Sequence, residues 1–150
     1  MKKALVALAI GLSGLVMGGC FTPASIRKDY YKDHPAIVAN RVSLGIFCYC
    51  TQSGVLNAMQ RMFMGRGVVV TWNRGAGVAW TGPINQPTLG DFTLSATLKK
   101  AMIDDEEDCI RVDWKLVGKA GPLDEQASKA YVDGLNQDLF KCLKELDEEK

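Results

Sequence analysis

The sequence predicts an α+β fold: a two-layer sandwich in which two helices cover one face of a mostly antiparallel sheet of four or five strands. Three observations predict it. Several stretches alternate apolar and polar residues with a period of two, as strands do when one face is buried and the other is wet. Two longer stretches carry apolar residues three and four apart, the spacing of one helical face. Their order along the chain, β-α-β-β-β-β-α, provides helices for one side of a sheet and none for the other. A single domain is expected over residues 41–150.

The first strand is read from Val42, Leu44, Ile46, Cys48 and Cys50, which alternate with Ser43, Gly45, Phe47 and Tyr49. Ser53 then reads as a helix N-cap, and Val55, Leu56, Met59, Met62 and Phe63 form one helical face that Gly65 and Gly67 terminate. Methionines at that spacing are read as core, not as soft metal ligands. Val68–Trp72 and Val78–Thr81 are two further strands, and the intervening Asn73-Arg74-Gly75-Ala76-Gly77 is a hairpin turn. Its Gly-x-Gly joins strand to strand, whereas a phosphate-binding loop leads from a strand into a helix. Residues 82–90, with Pro83, Pro87 and Gly90, are read as an irregular loop.

Phe92, Leu94, Ala96 and Leu98 give a half-buried strand, and Ile110, Val112, Trp114 and Leu116 another. Between them, Asp104-Asp105-Glu106-Glu107-Asp108 is read as a solvated turn, since it lacks the glycine and distal glutamate of a calcium loop. After Gly121-Pro122, a helix is expected from Asp124 to Leu146 with Tyr131, Leu135, Leu139, Cys142 and Leu146 on its buried stripe.

The N-terminus reads as an address. Met1-Lys2-Lys3 is followed by a mostly apolar run from Ala4 to Val16, too short for a permanent membrane span of about 20 residues. Val16-Met17-Gly18-Gly19-Cys20 resembles the lipobox of bacterial lipoproteins. That resemblance implies a signal peptide over residues 1–19 and Cys20 as the acylated first residue of the mature chain. It also implies a membrane anchor through the lipid. Phe21, where an aspartate would signal inner-membrane retention, implies the outer membrane, facing the periplasm. Residues 20–40 are expected to form a tether.

An exported chain meets an oxidising compartment, and four cysteines remain: Cys48, Cys50, Cys109 and Cys142. Three pairings of four are possible and the sequence does not choose among them. Helix and strand lengths bring Cys142 back toward Cys109 if the last helix folds over its preceding strand. Two disulfides are therefore expected, fastening the first strand and the final helix to the sheet. A Cys48–Cys50 bond is disfavoured, because both would point the same way along an extended strand. Cys-x-Cys with two distant cysteines is not a zinc-ribbon spacing, and no Cys-x-x-Cys redox pair occurs.

No catalytic constellation is legible. The single histidine, His34, stands in the expected tether. Asp113 between Arg111 and Lys115 reads as a charge pattern on an exposed strand face. A formal net charge of +1 gives no basic footprint for nucleic acid. The expectation is a non-catalytic accessory or scaffold lipoprotein with an envelope protein as partner, no cofactor and no metal. The architecture is similar to that of the lipopolysaccharide-assembly lipoprotein, in which helices also cover one sheet face. One alternative is a binding module for a lipid or small apolar ligand held between Trp72, Trp80, Trp114 and the Met-rich helix. A weakly marked envelope enzyme is the other.

Overall fold

The computed structural model describes residues 34–103 and 107–148. Cys20, the signal segment and most of the expected tether lie outside them.

The fold is α+β, with an antiparallel six-stranded sheet. In chain order the elements are α1 (Pro35–Ser43), β1 (Ile46–Cys48), α2 (Gln52–Arg66), β2 (Val70–Asn73), β3 (Val78–Thr81), β4 (Ile84–Gln86), β5 (Gly90–Ile103), β6 (Glu107–Gly118) and α3 (Glu125–Glu148). The sheet runs β1-β6-β5-β3-β2, with β4 also paired to β5. Its spine is the β5–β6 hairpin, in register from Phe92 opposite Gly118 to Ile103 opposite Glu107.

Alternation along these strands sorts the two faces. Phe92, Leu94, Ala96 and Leu98 of β5, with Ile110 and Val112 of β6, turn toward the helices and are buried. From α2, Val55, Leu56, Met59, Met62 and Phe63 meet them, and from α3, Leu135, Leu139 and Leu143, all in one apolar cluster. Met59 and Met62 are core residues, whereas Met64 of the same helix is exposed. Helix α2 starts at Thr51, not Ser53: the Thr51 hydroxyl accepts the Gly54 N–H at 3.0 Å. It ends at Gly67, whose φ of 69° suits a residue without a side chain. Asp124 caps the start of α3 by accepting the Ala127 N–H at 2.8 Å.

The structure corrects three further expectations about the elements. A third helix, α1, occupies residues expected to end the tether and begin the first strand. Pro35 in its first turn has a helix-compatible φ, and Val38 and Val42, four residues apart, share a buried face. Val42 and Leu44 do not share one face of a strand: Val42 is 2 % exposed and Leu44 63 %. Gly45, at φ +77°, redirects the chain there, and a Cβ at that position would lie 2.9 Å from the Val112 carbonyl oxygen. The second correction is β4, inside the expected irregular loop; it is only three residues long, too short to display a period, yet Ile84 is buried opposite Phe92. The third is the length of β5 and β6. Consecutive Lys99 and Lys100 are both exposed, so the alternation disappears before the strand does.

Truncating the centre of α3 tests this packing. Leu139→Ala should lower unfolding stability by about 2–5 kcal/mol in a denaturant titration. Val69→Ala, at a residue 84 % exposed, should change it by less than about 0.5 kcal/mol.

Candidate interaction surface

The four cysteines separate into three environments. Cys48 and Cys109 stand opposite each other on β1 and β6 and form a disulfide that joins residues 61 apart in sequence. Their neighbours Phe47 and Ile110 belong to the helix-covered core, so by alternation the disulfide lies on the opposite sheet face. Both cysteines are nevertheless buried, and an Arg41 Nη1 group of α1 lies 3.5 Å from the Cys48 sulfur.

Cys50 is a free thiol on the core side, donating to the Phe47 carbonyl oxygen at 3.3 Å. The expectation that Cys48 and Cys50 point the same way fails at Tyr49. Its φ of 57° is left-handed, so the extended alternation breaks between the two cysteines. The Tyr49 N–H still bonds the Asp108 carbonyl, which holds this turn against β6. Burial pushes the Cys50 thiol up to about 12.

Cys142 is also free, so the second expected disulfide is absent. Helix α3 does fold back over the sheet, and Leu143 enters the core. Cys142 instead lines a groove of about 340 Å³ with Arg61, Met62 and Gly65 of α2. The disulfide lies across the thickness of the sheet, out of its reach. Partial burial raises the Cys142 pKa, Glu145 adds to this, and Arg61 opposes it.

The tryptophans do not line a ligand chamber together. Trp114 donates its indole N–H to Oδ1 of buried Asn136 at 2.8 Å and meets Phe63 edge-on, with ring centres 6.3 Å apart. Trp80 and Trp114 both border the space among Phe63, Val70, Leu94 and Ala96, but it has no room for a water-sized molecule. Trp72 lies beneath the Arg74 guanidinium, 5.9 Å from the ring centre. A cleft of about 460 Å³ between Leu89–Asp91 and Lys119–Leu123 is the roomier space, walled by two loops at the end of the sheet. Among the described residues no group of three or more His, Cys, Asp or Glu side chains is placed to hold a metal ion. His34 is the N-cap residue of α1.

What remains is the sheet face away from the helices. In register across it run Thr71, Trp80, Ser95 and Lys115, and beside them Asn73, Val78, Thr97 and Asp113. Lys99 and Arg111 follow as the next cross-strand pair. Trp80 is 44 % exposed and Val117 52 %, large values for apolar residues paired within the sheet. The charge pattern expected around Asp113 is present: its carboxylate meets Arg111 at 3.1 Å and Lys99 at 3.3 Å. The sequence marked Asp113 and Trp80 separately; their common face follows only from the strand register.

These environments predict a labelling pattern. Iodoacetamide at pH 8 should modify Cys142 in the folded protein and Cys50 only after denaturation, as read by peptide mass analysis. The folded Cys50 thiol stays protonated where the unfolded one ionises. Unfolding stability should therefore fall as pH rises from about 9 toward 12, with a shallower fall in Cys50→Ala.

No protein-family model matches the chain, and no curated protein matches it.

Proposed function

We propose that this is a lipid-anchored protein of the bacterial envelope, held in the outer membrane through acylated Cys20, with a folded body that serves as a non-catalytic accessory or scaffold subunit. The observation that carries the reading is the run Val16-Met17-Gly18-Gly19-Cys20 after a charged start and a short apolar segment. More than one acyl chain on a single residue exceeds what stable membrane attachment requires. The Cys48–Cys109 bond supports export, since such bonds persist in oxidising compartments. No helix among the described residues is long and apolar enough to cross a membrane, so attachment in this reading falls to the lipid.

Two features favour scaffolding over ligand storage. Between Phe63 of α2 and Trp80 and Trp114 of the sheet the core is filled, leaving no space for an apolar guest. The opposite sheet face presents aromatic, hydroxyl and charged groups outward, a composition suited to protein contact.

Mass analysis of the protein purified from its native envelope tests the anchor. The expected N-terminal peptide begins at Cys20 and carries diacylglyceryl and N-acyl groups. Cys20→Ser should abolish labelling by radioactive palmitate and shift the chain out of the membrane fraction. An unmodified Cys20 thiol, or a mature start elsewhere, would overturn the reading.

A further inference from the structure

We infer that the part of the sheet face around Trp80 and Lys115, away from the helices, docks an acidic, extended segment of a protein partner, with Arg111 and Lys115 of β6 and Lys99 of β5 receiving its carboxylates beside Trp80. This rests on the scaffold reading and names the chemistry of the partner.

The charges come first. Among the described side chains of this face three cations stand against two carboxylates: Asp113, which is shared between Arg111 and Lys99, and Asp91, which accepts a hydrogen bond from Asn85 at 2.7 Å near the start of β5. Lys115 has no ion-pair partner among the described residues, and it lies in the same cross-strand row as Trp80. Two carboxylates cannot neutralise three cations, so these side chains have an excess that an acidic partner complements. Asp108 does not cancel it: opposite Met102, it falls by alternation on the other side of the sheet.

Spacing comes second. Arg111, Asp113, Lys115 and Val117 project from one side of β6 at every second residue, about 7 Å apart. An extended peptide laid along β6 has the same repeat. Carboxylates four residues apart on the peptide would meet Arg111 and Lys115 together, and a donor midway would meet Asp113. An apolar side chain beside them would cover Trp80 or Val117. Trp and Arg at the centre of a face are the residue types that carry binding energy at protein interfaces.

The fixed carboxylate between the cations also argues against an anionic lipid surface as the occupant. An ordered peptide can present a donor to Asp113, whereas a layer of anionic headgroups meets it with like charge.

The test places a photo-reactive benzoylphenylalanine at Thr97 in the full chain, in its native envelope, and sequences the cross-linked peptide. The same group at Lys129, on the exposed side of α3, is the control. The expected product is a peptide with clustered Asp and Glu residues, absent from the control. Its yield should fall about tenfold in Lys115→Glu, equivalent to about 1.4 kcal/mol. An intact Cys48–Cys109 bond in that variant reports that it has folded. Cross-linking to phospholipid, to a second copy or to a segment without acidic excess would overturn the inference. So would a yield indifferent to Lys115→Glu, or no product above the control. The mass of the Cys20 peptide from the same sample separates the two readings. Acylated Cys20 without the acidic cross-link defeats only this inference, and the cross-link with unmodified Cys20 defeats only the lipid anchor.

Discussion

The pairing of β5 with β6 is the constraint on which the rest of the molecule depends. It is the longest ladder in the sheet, and every other strand except β2 pairs directly with one of its two members. Its register decides which residues face the helices. Because side chains alternate, a slip of β5 by one residue would send Phe92, Leu94, Ala96 and Leu98 into water and bring Thr93, Ser95, Thr97 and Lys99 under α2 and α3. The core and the charged face are therefore two consequences of one alignment. Neither can be altered in register without the other.

The helix layer reinforces that alignment through a small number of polar contacts. Asn136 is buried on α3, and its side-chain oxygen takes the Trp114 indole hydrogen across the layer boundary. A buried amide without that partner would be costly, so the bond sets which turn of α3 faces β6. Arg74 in the β2–β3 turn reaches Asn57 of α2 at 2.6 Å, and Gln52 of α2 donates to the Arg74 carbonyl. Arg66 of α2 pairs with Asp138 of α3. The edge of the sheet and the two long helices are thus linked near the surface, around an apolar interior.

Much of this architecture was legible in the residues, because burial of one face writes a period into the sequence. The α2 stripe from Val55 to Phe63, the strand Val78–Thr81 and the core-facing residues of β5 and β6 are where the pattern placed them. Legibility ends where burial and secondary structure part company. Helix α1 offers only Val38 and Val42 to the core, too few to show a stripe beside the alternating residues that follow. The β4 strand offers Ile84 alone. The cysteine pairing was half legible. A bond from the first strand to the sheet was expected, but the sequence left three pairings open, and chain lengths aimed Cys142 at Cys109, which bonds Cys48 instead. The side of α3 taken by Cys142 depends on the rotation of that helix, which length arguments do not contain. The open face was marked only as separate residues, since cross-strand neighbours such as Trp80, Ser95 and Lys115 are distant in sequence.

The left-handed turn at Tyr49 has a bearing on how the chain matures. In an unfolded chain Cys48 and Cys50 are nearly equivalent nucleophiles, two residues apart and about equally distant from Cys109. Only the turn assigns them to opposite sides of the sheet, Cys50 to the helix-covered side, where burial suppresses its ionisation. Correct oxidation is thereby an outcome of conformation: the chain must lay β1 against β6 before its sulfurs are joined. A premature bond from Cys50 to Cys109 would draw a core residue out to the far side of the sheet and block closure of the interior around α2.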